Sequence, residues 1–170
     1  MSVPTLPEPW LRGPVDGVAP VLQPAAHALL QAQEDIAAHA RELPAEVLWQ
    51  ATGAATAGFH ALHLAGALDS LYTYARGEAL SESQRAALKA ESMPHPELDG
   101  PALIRIVDDA VGRALDQLRD TPAERILDER RVGRAGLPST VLGLLAHGAE
   151  HSTRHSGQFI TTVRLLAARR

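Results

Sequence analysis

Proline placement constrains this chain more firmly than any other feature. Twelve of its 170 residues are proline, and none falls past the first turn of the four longest apolar-rich stretches. Each stretch is therefore free to form an unbroken helix, whereas the segments between them are not. Pro4, Pro7, Pro9 and Pro14 predict an extended N-terminal arm over residues 1–19, with Trp10 and Leu11 expected to pin it to the body. A first helix should open near Pro24, which suits an initial helical position, and run to about Leu43 before Pro44. Thr56 can cap a second helix through AGFHALHLAGALDSLYTYAR, ended by Gly77. SESQ reads as a capping box for a short extra helix from Ser81 to about Ser92. Asp99-Gly100-Pro101 starts a third long helix that stops at Thr121-Pro122. After a charged connection, LPST leads into a final helix from about Thr140 nearly to the C-terminus, roughly 42 Å long at 1.5 Å per residue. The expected fold is all-α, a four-helix bundle occupying residues 20–170 as one domain behind the arm.

Composition agrees. Aromatics make up only 4% of the chain, so alanine and leucine must fill the core, which favours closely packed helices over a β-sandwich. A formal net charge of −4 gives no general attraction to nucleic acid or anionic membrane. No apolar run approaches the length of a membrane span, and the proline-rich N-terminus does not read as a secretory signal, so a cytoplasmic location is expected. Cysteine is absent, which removes disulfides, thiolate ligands and a cysteine nucleophile; any metal must be held by His, Asp or Glu.

The chemistry-bearing segment is HGAEHSTRHSGQ, residues 147–158. His147, His151 and His155 recur every fourth residue, and positions four apart lie about 40° apart around a helix. Neighbouring rings can converge on one cation. All three cannot, because His147 to His155 spans roughly 12 Å along the axis. A third ligand must come from elsewhere, and GFHALHLAGALDSL on the second helix offers His60 and His63. Three imidazoles from two helices would leave open positions for water or substrate, the pattern of a catalytic site. A zinc-protease reading fails because Ser152 stands where that motif needs glutamate.

The combination of HLAGALDSL on an early helix and HSTRHSGQ on the last resembles the DinB/YfiT-like superfamily of four-helix metalloproteins. The resemblance implies His63, followed by Leu64-Ala65, as the first ligand. It implies His151 and His155 as the others, since Ser156, Gly157 and Gln158 follow the second. It further implies a divalent metal, with zinc or nickel best suited to three imidazoles and water. Enzymes of that superfamily include S-transferases and an isomerase that use bacillithiol, mycothiol or glutathione. The implied function is a metal-dependent thiol S-transferase acting on a small-molecule substrate. The alternatives are a metal-dependent hydrolase or a non-catalytic metal-binding protein. Alanine-rich helix faces are compatible with a homodimer, common for this fold.

His60 reads as a neutral core histidine, as a residue supporting a ligand or as a substrate contact, and His147 as pocket wall or packing. Gln158 is expected to hydrogen-bond a ligand histidine or a neighbouring helix. Glu150 and Asp69 point too far from the ligand faces to serve as general bases, and His27, His39 and His95 read as surface residues without partners. The cluster ERILDERRVGR carries acids that nearly cancel its arginines and no aromatics for base stacking, so it reads as a solvated loop.

Overall fold

Four long helices form, and each begins where its sequence signal lies. The structure, a computed structural model, describes residues 6–168; Pro4 of the expected arm lies outside them. Helix α1 (Gln23–Ala40) has Pro24 in its first turn. A short α2 (Ala45–Leu48) follows. Helix α3 (Ala57–Ala75) starts at Thr56, whose hydroxyl accepts from the Phe59 N–H at 3.1 Å. Helix α4 (Glu82–Ala90) carries the complete Ser81/Gln84 capping box. Asp99 caps α5 (Gly100–Asp120), and Thr140 caps α6 (Val141–Ala167). These side chains supply acceptors to N–H groups that the first helical turn leaves without partners.

The long helices pack in a ring in which α3 and α1 each contact both α5 and α6. The apolar stripe of α3 is Ala57, Ala61, Leu64, Leu68 and Tyr72; that of α5 is Leu103, Val107, Ala110, Ala114 and Leu118. Both follow the three-and-four spacing of a helix face turned to a core. The α6 stripe adds Leu145, Phe159 and Val163, and Phe159 is fully buried. No helix among the described residues is long and apolar enough to cross a membrane.

Three local expectations are corrected. The charged connection is a β-hairpin, with β1 (Glu129–Val132) antiparallel to β2 (Leu137–Thr140) and Arg131 opposite Pro138. Its turn runs from Gly133 to Gly136, both at positive φ, where a side chain would be strained. Four-residue strands are too short to display alternation, and tertiary contacts hold the hairpin in place. Arg130 Nε donates to the Ala75 carbonyl at 2.7 Å, and the α6 segment closes back through Val141 N–H to Asp128 O. Helix α1 ends three residues early, and α2 inserts Val47 and Leu48 into the interior beside Trp49, whose indole N–H donates to Leu98 O at 3.0 Å.

The arm is not pinned by Trp10 and Leu11, which are 60% and 57% exposed. It makes 3₁₀ turns at Pro9–Leu11 and Pro20–Leu22 and is anchored by buried Pro9, Val18 and Leu22. Gln23 adds hydrogen bonds to the backbone of Val15 and Val18, and Arg12 forms a two-pronged pair with Glu34.

Candidate metal centre

Helices α3 and α6 run antiparallel, with Gly148 against Leu68 and Tyr72 and His155 against His60 and His63. This alignment brings His63, His151 and His155 together. One nitrogen from each lies within 4.8 Å of the other two. Ring centroids are 4.6 Å apart for His63–His155, 5.0 Å for His63–His151 and 4.5 Å for His151–His155. Ligand nitrogens about 2.0–2.1 Å from a tetrahedral zinc ion stand about 3.4 Å apart, so small side-chain rotations suffice to close the set.

The rings sit in a gradient of exposure. His60 and His155 are buried at 7% and 9%, His151 is half-buried, and the His147 side chain is 49% exposed. The cluster thus opens to solvent along α6 toward His147. Phe59 closes another side, stacking on His63 with centroids 5.1 Å apart and planes 9° from parallel, while its edge faces His60 and His155.

Burial, and then the adjacent imidazoles, disfavour protonation here. The His155 imidazolium is pushed down to about 4 by burial first and then by His151, His63 and His60. Burial likewise lowers His151, with His63 and His147 adding, and it lowers His60, with His63 adding. Neutral imidazole is the form that binds a cation, so burial favours the binding form of His151 and His155.

Outer contacts fix which nitrogen faces inward. His63 Nδ1 lies 2.7 Å from Glu91 Oε2. An Nδ1–H donating to the carboxylate fits this contact, and in a neutral ring that tautomer leaves Nε2 free. His155 Nδ1 lies 3.1 Å from His60 Nδ1; if His155 donates, its own Nε2 is likewise left free. His60 therefore stands directly behind His155 within the core.

The other residues singled out in the sequence fall outside the cluster. His147 packs its ring edge on His151 and places Nδ1 3.3 Å from Glu150, which is also paired with Arg154. Asp69 accepts from Gln84. Gln158 is exposed and, among the described residues, makes no hydrogen bond. His27, His39 and His95 are half-buried rather than free: each bonds a backbone carbonyl, and His95 also packs against Trp49.

Two participants escaped sequence reasoning. Phe59 could have been found, since it lies four residues before His63 and so shares its face. Glu91 could not, because it follows the last turn of α4 and reaches His63 only through the packing of α4 on α3.

A helical bundle whose facing helices α3 and α6 gather three imidazoles is of an all-α class able to hold a metal ion. Within that class the assignment is specific: the model of the DinB superfamily matches residues 28–159, and the chain belongs to that superfamily. No curated protein matches the chain significantly.

Proposed function

We propose that this protein is a metal-dependent S-transferase, using His63, His151 and His155 to hold a divalent cation, zinc or nickel, and a low-molecular-weight thiol as co-substrate. The reading is carried by one observation: three convergent imidazoles with no carboxylate at hand as a general base. Glu91 is engaged by His63, and Glu150 by Arg154 and His147. When bound, the cation supplies Lewis acidity that holds a thiol as thiolate near neutral pH. The chain then has little proton transfer to perform, which suits its lack of a free base and its lack of cysteine. His155 and His60 stay neutral by burial, Phe59 shields one flank from water, and the half-exposed side at His151 and His147 admits the small molecules.

The test begins with untagged protein. Metal content is measured for the wild type and for His63→Ala and His151→Ala. The loaded protein is then incubated with bacillithiol, mycothiol or glutathione and an electrophilic test substrate. Metal in the wild type alone, with thiol consumed, is expected. Equal metal content in all three samples would remove the basis of the reading.

Hydrolysis is a second reading favoured by one contact, the His147–Glu150 pair beside His151, which presents an exposed imidazole oriented by a carboxylate. His147→Ala separates the two: it spares thiol transfer and abolishes hydrolysis. Bound metal with neither activity would leave a non-catalytic metal-binding protein.

A further inference from the structure

Glu91 is 6% exposed, and its Oε1 has no hydrogen-bond partner. Among the described residues, its other oxygen is hydrogen-bonded only to the His63 ring. A buried carboxyl group with one imidazole contact and an unpartnered second oxygen is poorly compensated unless positive charge lies nearby. No arginine or lysine pairs with it among the described residues. The position is nonetheless built for it. Gly66, one turn beyond His63 on α3, has no side chain where Glu91 Oε1 packs; a Cβ there would lie only 1.9 Å from that oxygen. Helix α4 delivers Glu91 to this notch, and its capping box fixes where α4 begins.

From this geometry we infer that Glu91 is a positioning residue for the three-histidine site: it holds His63 as the Nδ1–H tautomer and aims Nε2 at His151 and His155. The inference rests on the metal-binding reading for its purpose, although the tautomer itself does not depend on metal. A cation on the far side of the imidazole supplies the charge that the carboxylate lacks, transmitted through the ring. The site and the buried acid therefore stabilise each other. An acid kept for folding alone would behave otherwise, since its loss would weaken the metal-free protein.

The experiment has a metal-free arm and a metal-binding arm. In chelator-stripped protein at mildly alkaline pH, ¹⁵N–¹³C correlation spectra of the imidazoles report tautomers directly. His63 is expected as Nδ1–H in the wild type and as a mixture, or as Nε2–H, in Glu91→Ala. An unchanged His63 tautomer in that variant overturns the proposal, whatever metal does. In the second arm, zinc affinity is measured by competition with a chromophoric chelator. Glu91→Gln keeps the acceptor but loses the charge, and Gly66→Ala drives the carboxylate out of its notch. Each is expected to weaken zinc binding about 10- to 100-fold, the usual effect of losing an outer partner of a ligand histidine. Glu91→Gln is expected to leave metal-free stability unchanged or raised. Wild-type affinity in both variants, or a Glu91→Gln protein that is less stable without metal, would refute the positioning role. If the wild type binds no zinc at all, the metal reading falls by itself, and the spectra still decide whether Glu91 sets the tautomer.

Discussion

Gly148 and Gly157 lie on the same helix and differ in one respect, so exchanging each for alanine isolates the packing that assembles the site. Replacing glycine by alanine within a helix gains about 1 kcal/mol of intrinsic propensity at either position. At Gly157 the new methyl meets nothing within 4 Å, so Gly157→Ala should realise that gain, raising Tm by about 2–4 °C in a chain of this size. At Gly148 the methyl would stand 2.7 Å from Tyr72 Cε2 and 3.3 Å from Leu68 Cδ1. Carbon atoms prefer about 3.5–4.0 Å, so α3 and α6 would have to separate by about 1 Å. Tyr72 cannot swing aside, being 2% exposed within the core. Overpacking of this kind costs about 1–3 kcal/mol, leaving Gly148→Ala between neutral and about 2 kcal/mol destabilised. Propensity cancels in the comparison, and the two variants should differ by about 1–3 kcal/mol, the packing contribution alone. Urea denaturation of metal-free protein, followed by helical circular dichroism, measures both. Equal stabilities would refute the claim that α3 and α6 are held at a glycine-limited distance, and with it the account of how His63 meets His151 and His155.

Phe159→Ala should cost about 3–5 kcal/mol, because the ring is fully buried and the surrounding helices cannot collapse into the space; a Tm within a few degrees of wild type would contradict this. Thr56→Ala should lose about 1 kcal/mol, with Thr56→Ser restoring most of it, if the hydroxyl cap on Phe59 N–H is what starts the histidine-bearing α3; comparable urea midpoints for all three proteins would count against the cap. In metal-free protein, the lowered proton affinities of His155, His151 and His60 mean that the unfolded chain binds more protons than the folded one below about pH 6.5. Their contribution is full above that value and is lost as pH falls toward the His155 value of about 4. The urea midpoint should therefore drop between about pH 7 and about pH 5, and a constant or rising midpoint would show that the imidazoles are not buried as described.

The four long helices, their caps and the pairing of His151 with His155 were legible from the chain because each depends on spacing within a short segment. Thr56, Ser81, Asp99 and Thr140 act on N–H groups a few residues away, and the fourfold histidine repeat needs only the pitch of one helix. The same locality explains the errors. Gln158 lies one turn beyond His155, yet its side chain is exposed, because which positions of α6 are covered depends on the helices packed against it. The hairpin over residues 129–140 carries almost no periodic signal, and its turn glycines become meaningful only once Arg130 reaches back to α3.

By itself, then, the sequence determined the long helices, the absence of any cysteine ligand or nucleophile and the fourfold histidine repeat, since these follow from residue type and helical pitch. Only the tertiary structure decided which histidines meet and that Glu91 stands buried behind His63. Those outcomes depend on the distance and register between helices, set by small residues such as Gly66 and Gly148 whose importance lies in the side chains of other helices that they admit.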